Sequence, residues 1–237
     1  MRGTIPWQRP RPNRYAITEW EIEAEASALL LVGLQVAHLD PERGWGQRLR
    51  ADPEQHAYYY ARVHEVVLPN VARLQAFFRG HGRQIVYARL GLLTADGRDL
   101  APWSWQHAAQ QAAAPAAPPR YPPGAPEREL WPALAPRPDE LVLDTTTLSP
   151  FNSTALDQYL RNMQIENLVV AGVLTDAAVE ITARDAGDRG YHVMAVEDAC
   201  AALAPEHHAT TFATASWYVG KTTDEVIDEL GRLLPTA

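Results

Sequence analysis

Few residues in this chain could do covalent or proton chemistry, and their distribution is uneven. There is one cysteine, Cys200, and one lysine, Lys221; the remaining basic side chains are arginines, accompanied by eight histidines. A lone cysteine rules out an internal disulfide and a cysteine-based zinc site. Cys200 reads as a small buried apolar residue rather than a nucleophile. His107, His207 and His208 lack the spacing to paired carboxylates that a metal site needs, so no metal or other cofactor is expected. His38 stands just beyond an apolar run, where an imidazole can act as acid or base or simply as a hydrogen-bonded loop residue. Asp40 lies close by and precedes Pro41, which favours a turn. Asp144 is followed by the hydroxyls of Thr145, Thr146, Thr147 and Ser149. A hydroxyl nucleophile needs a base and none is assignable, so substrate hydrogen bonding suits them better. Arg89 can grip a carboxylate with two parallel hydrogen bonds or pair with a neighbouring acid. Trp103 and Trp105 form either a lid over an apolar ligand or anchors for their segment.

The elements that must position these groups follow from the hydrophobic pattern. The apolar run from Ala28 to Gln35 has strand length and no alternation, as a parallel strand covered on both faces requires. The spacing predicts a helix over 58–79, ended by Gly80 and kinked or divided at Pro69. Further strands are expected at Gln84–Ala88, Leu141–Leu143, Asn167–Val173 and Tyr191–Val196, with a short edge strand at 217–220. Helices are expected at Thr154–Met163, Asp176–Arg189 with Gly190 beyond its end, 205–216 and Thr223–Leu234, the last capped by Thr222 or Thr223 ahead of Glu225. Strands alternating with helices imply a three-layer α/β/α domain with a mostly parallel, six-stranded, Rossmann-like sheet. In such sheets ligands bind beyond the carboxyl ends of the strands. The residues just after Val32, Ala88, Leu143 and Val173 are therefore the ones to examine.

Residues 1–27 read as an N-terminal arm, arginines at 2, 9, 11 and 14 followed by glutamates at 19, 21, 23 and 25. Such an arm is either a solvated segment packing on a neighbouring subunit or its own sheet, or an electrostatic docking arm. Residues 28–237 form the single α/β domain, interrupted at 91–130 by an Ala/Pro/Trp-rich excursion. A net charge of −8 argues against a nucleic-acid partner. The apolar runs are too short to span a bilayer and no secretory h-region follows Met1, so a cytoplasmic protein is expected.

Three segments carry a family resemblance. Leu168-Val-Val-Ala-Gly-Val-Leu-Thr-Asp-Ala-Ala-Val-Glu-Ile-Thr-Ala-Arg-Asp-Ala186, with Asp188-Arg-Gly-Tyr191 and Val196-Glu-Asp-Ala199 after it, resembles the isochorismatase-like hydrolases. Ser149-Pro-Phe-Asn-Ser-Thr154 with Leu156 fits the family's Ser-x-Phe-x-x-Thr-x-Leu, and Leu30–Gln35 its first strand. Glu206-His207-His208 and Arg89 are similar to the biuret hydrolase branch. The resemblance runs from about Leu29 to the C-terminus and is weak over 91–130.

The resemblance implies a cysteine nucleophile, an aspartate base and a lysine, with backbone N–H groups before the cysteine helix, often beside a cis peptide, as oxyanion hole. The cysteine position is Ala178 here, the aspartate position Gly33 and the lysine position Thr145. Isochorismatases proper lack the cysteine but keep the aspartate as proton donor, which this chain does not. The expectation is thus an isochorismatase-like protein without a working cysteine triad. It would bind a small, partly apolar organic molecule through Gln35, His38, Arg89, Trp103, Trp105, Thr145, Thr147, Phe151, Leu174 and Thr175, with His38 as the acid/base candidate. Function then divides between a repurposed hydrolase or related biosynthetic enzyme and a non-catalytic relative that binds a ligand or a partner protein. A homodimer or higher homo-oligomer is expected in either case.

Overall fold

The computed structural model describes residues 1–6, 19–94, 96–100, 121–215 and 217–234. Its centre is a parallel six-stranded sheet made of β3 (Ser27–Val32), β4 (Gln84–Leu90), β5 (Leu141–Thr145), β6 (Asn167–Val173), β7 (His192–Ala201) and β8 (Val219–Lys221), in the order β5-β4-β3-β6-β7-β8. Every residue of β3 and β6 is buried, the result of lying centrally with both faces covered. Alternate residues feed two cores: Leu29 and Leu31 pack on one side of the sheet, Ala28, Leu30 and Val32 on the other. The expected α/β class and parallel order are what the structure has.

Chain direction across the sheet reverses between β3 and β6. From β3 the chain moves outward to β4 and β5, then returns to β6 and proceeds to β7 and β8 on the other side. Such a reversal opens a crevice at the carboxyl ends of the two central strands. Two glycines permit the close approach there. A Cβ on Gly172 (φ +135°) would stand 1.9 Å from the Val32 carbonyl oxygen, and one on Gly33 (φ +69°) 2.3 Å from that of Val173.

The helices carry several corrections. The helical stretch expected over 58–79, kinked or divided at Pro69, is divided: α3 (Pro53–Arg62) starts earlier, a π turn follows at Val63–Val67, and α4 (Leu68–Gly80) carries Pro69 in its first turn. Pro69 has no N–H and its ring crowds the preceding turn. The wider turn accommodates it, with Leu68 N–H reaching back to the Val63 carbonyl. Short helices α1 (Val36–Leu39) and α2 (Trp45–Leu49) follow β3. Later helices are α5 (Leu156–Asn162), α6 (Glu180–Asp188), α7 (Pro205–Ala213) and α8 (Thr223–Gly231), each shorter than its pattern suggested. The cap of α8 is Thr222, which forms a capping box with Glu225.

The strand expected at Tyr191–Val196 runs on to Ala201, helped by a register irregularity opposite Val170 and Gly172. Cys200 therefore lies inside β7, beside Gly172, and not after the strand. It is fully buried, and burial pushes its thiol up to about 12. Lys221, on the edge strand β8, is buried in an ion pair with Glu229 of α8 (2.8 Å). The arm's described residues form an antiparallel hairpin, β1 (Arg2–Pro6) with β2 (Glu19–Glu23), whose Ile5 and Ile22 enter the core. The excursion is also less detached than its composition suggested: Leu92, Tyr121 and Arg128 are buried.

Candidate functional site

At the reversal between β3 and β6 the structure opens a narrow cavity of about 40 Å³. Val32 and Gly33 come from the end of β3, Ala88 and Leu90 from β4, Thr145, Thr147 and Leu148 from the end of β5 and beyond, and Val173, Leu174, Ala177 and Ala178 from the end of β6 and its turn. His38 and Trp45, from α1 and α2, close the remaining side. None of these residues carries a carboxylate, an ammonium or a guanidinium. The only polar side chains are two threonine hydroxyls, the imidazole and the indole N–H.

His38 is the group with chemical potential. Its Nδ1 lies 2.7 Å from the Gly33 carbonyl oxygen. A carbonyl can only accept, so Nδ1 bears the proton and Nε2 keeps the basic lone pair. Burial penalises the imidazolium and lowers the pKa of His38, so the ring is neutral at physiological pH. Trp45 packs edge-on against it with ring centroids 4.7 Å apart. Nδ1 also stands 3.5 Å from where a Cβ at position 33 would sit, so the imidazole borders the space a side chain there would enter.

The wall formed by Leu174–Ala178 is held from behind. Residues Thr175–Val179 make a π turn ahead of α6, following a cis peptide between Val173 and Leu174. The Leu174 carbonyl accepts from both Ala177 N–H (3.2 Å) and Val179 N–H (3.1 Å). Thr175 Oγ1 is 2.8 Å from His208 Nδ1, and His208 Nε2 is 2.9 Å from an Arg62 Nη2. Arg62 donates as well to the backbone oxygens of Cys200 and Glu197. Because the guanidinium only donates, Nε2 accepts and Nδ1–H donates to the threonine. Burial, reinforced by the Arg62 charge, lowers the His208 pKa to about 4.

Of the expected binding residues, His38, Thr145, Thr147 and Leu174 line the cavity, and so do Gly33 and Ala178. Gln35 does not. It is fully buried, donates to the backbone oxygens of Leu90 (2.9 Å) and Arg128 (3.1 Å), and accepts from Leu90 N–H (2.7 Å). That use ties β3 to β4 and leaves its amide nothing for a ligand. Arg89 pairs with Asp144 (2.5 Å) and Glu129 (3.0 Å), while buried Arg128 also pairs with Asp144 (3.0 Å), so its neighbouring acids claim it. Phe151 is buried in the opposite core against Tyr191, and Thr175 turns to His208. Thr147 lines the cavity but spends its hydroxyl on the Ser149 oxygen and Ser153 Oγ. Trp103, Trp105 and His107 lie outside the described residues. Trp45, Leu148 and Ala177 were missed, since nothing in a Gly/Arg-rich segment marks Trp45 as folding back over the strand ends.

The isochorismatase domain profile matches residues 27–225, the whole α/β domain from β3 into α8. The chain belongs to the isochorismatase family. Among curated relatives it is similar to the phenazine biosynthesis protein PhzD of Pseudomonas fluorescens, 26% identical over 226 residues that make up 94% of both chains. It is 35% identical over 97 residues to the ureidoacrylate amidohydrolase RutB of Acinetobacter baylyi, a match spanning only 40% of either protein. Its fold is similar to that of a cysteine hydrolase from Pseudomonas syringae pv. phaseolicola, with TM-score 0.72 and 23% identity over 90% of this chain and 96% of the other. Among the described residues of this isochorismatase-family chain, no helix is long and apolar enough to cross a membrane and no three His, Cys, Asp or Glu side chains gather as a metal site would require.

Proposed function

We propose that this isochorismatase-family protein is an enzyme that acts on a small, partly apolar organic molecule by proton transfer at His38, without the cysteine, aspartate and lysine chemistry of its relatives. The observation that carries the reading is the state of His38: neutral, its Nδ1–H anchored on Gly33 O, its second nitrogen basic, at the wall of the switch-point cavity. Gly33, Thr145 and Ala178 stand at the triad positions that the family resemblance assigns, and all three border that cavity. Two relatives are named for phenazine biosynthesis and for ureidoacrylate amide hydrolysis, which agrees with a small organic substrate. The sparse lining favours a second reading as well, a ligand-binding relative with no chemical step, because it offers no charge to stabilise a developing oxyanion.

Incubation with a pool of small vinyl ethers, esters and amides, followed by mass spectrometry of products, separates the two. The enzyme reading expects turnover by the native protein, abolished in His38→Ala while ligand affinity persists. Binding without any product, unchanged in rate by the substitution, would favour the second reading.

A further inference from the structure

Two walls of the His38 cavity lie outside the sheet: the segment of α1 and α2, which carries His38 and Trp45, and the turn at Leu174–Ala178. A single turn such as α1 is not stable alone, and its last carbonyls have no partner within the helix. α3 and its π turn reach over to them. His64 Nε2–H donates to the Leu39 oxygen (2.9 Å) and His56 Nε2–H to that of Pro41 (3.3 Å). Tyr60 stands between the two, its ring centroid 4.8 Å from that of His56 and 6.3 Å from that of His64, and packs edge-on against Tyr59. Arg62 reaches the other way, since residues two apart on a helix point about 200° from each other. Its guanidinium donates to the Glu197 and Cys200 oxygens and to His208 Nε2, and His208 Nδ1–H donates to Thr175 Oγ1 at the start of the second wall. A further tie of that turn, Asp176 to His207 (3.3 Å), lies nearer solvent and counts for less.

We propose that Arg62 and His64 are positioning residues that hold the two walls in place. His64 fixes the segment that carries His38, and Arg62, through His208 and Thr175, fixes the Leu174–Ala178 wall. Neither side chain lines the cavity. Their part in turnover rests on the reading of His38 as acid or base; their grip on the walls does not.

The test is native-state amide exchange read by NMR, which needs no ligand. Ala177 and Val179 N–H, both bonded to the Leu174 oxygen, report one wall; Leu39 and Asp40 N–H, bonded to the Gln35 and Val36 oxygens, report the other. His208→Leu should speed exchange at Ala177 and Val179 about tenfold and leave Leu39 and Asp40 alone. His64→Leu should do the reverse. Arg62→Met should act on the same wall as His208→Leu, and the two together no more than His208→Leu alone, because Arg62 works through the imidazole. His208→Gln and His64→Gln keep a donor and should stay within about twofold of the native rates. Equal rates in the leucine and glutamine variants would reduce these side chains to packing, and acceleration of both walls by either leucine variant would deny the separate ties; each result overturns the proposal. Where the native protein turns over a member of the vinyl ether, ester and amide pool, His64→Leu should lower kcat about tenfold with KM little changed, and His64→Gln should restore it. A native kcat in His64→Leu would overturn the positioning of His38. Absence of turnover in the native protein would count against the acid–base reading alone, and the exchange pattern would still decide the grip on the walls.

Discussion

The Nδ1 of His38 lies 2.7 Å from the carbonyl oxygen of Gly33, the residue at which the first central strand gives way to the cavity. The bond fixes the ring's tautomer and ties its orientation to the backbone of position 33. If His38 is the base, activity requires the neutral ring. Its pKa is lowered by burial, so activity should persist below the ordinary histidine midpoint near 6.5 and disappear as pH falls further. A pH–rate profile whose acidic limb stays in place when His38 is replaced would assign the limb to another group.

Placing at position 33 the aspartate that the family resemblance implies should not be a neutral exchange. Gly33 has φ +69°, and a Cβ there would meet the Val173 oxygen at 2.3 Å. Gly33→Asp and Gly33→Ala should each destabilise by about 2 kcal/mol or more, read from urea denaturation. Ala178→Cys borders the open cavity and should fold with near-native stability. Equal stability of all three variants would show that the strand end relaxes freely.

The amide of Gln35 should behave as structure. Gln35→Leu leaves the Leu90 N–H and the Leu90 and Arg128 oxygens unmatched in a fully buried place, at a cost of roughly 3 kcal/mol. The melting temperature should drop whether or not a ligand is present. A stable variant with impaired binding would instead put Gln35 in contact with the ligand.

Histidine 208 makes stability fall on the acid side. Its folded pKa of about 4 lies below the unfolded value of 6.5, so the unfolded chain binds more protons between those limits. Its contribution is complete above pH 6.5 and is lost as pH falls toward 4, on the order of 3 kcal/mol in all. His208→Gln retains an acceptor for Arg62 and a donor for Thr175 but does not titrate. Denaturation midpoints measured across that range should therefore flatten in the variant; an unchanged slope would mean that other groups set it.

Thiol reagents should leave the native protein alone. Cys200 is wholly buried within β7 and its thiol is pushed up to about 12, so almost no thiolate exists at neutral pH. Native-state alkylation followed by intact mass should show no adduct. Rapid labelling would contradict the burial, and loss of turnover with it would overturn the proposed thiol-independent chemistry.

How far the sequence could be read depended on whether local pattern or distant packing decided each feature. Asn167–Val173 was legible to the residue because an unbroken apolar run between a polar turn and Gly172 admits few alternatives. The continuation of β7 to Ala201 was not, since Glu197 and Asp198 look like a strand's end and only pairing with Gly172 and Val173 carries the strand on. His38, Thr145 and Ala178 could be placed together because a parallel sheet brings its strand ends to one edge. Gln35 and Arg89 sit at that same edge, yet their side chains are consumed by the backbone of β4 and the acids of its neighbours, which spacing along the chain does not reveal. Trp45 and the tyrosines of α3 depend on how two short helices fold back, a matter of tertiary contact alone.

The burial of Lys221 against Glu229 has a practical side. The protein's one side-chain amine is 3% exposed, so an acylating reagent aimed at lysine finds no reactive ε-amino group on the folded surface. Modification of that position should report the moment β8 and α8 part, giving a covalent clock for opening of this edge of the sheet.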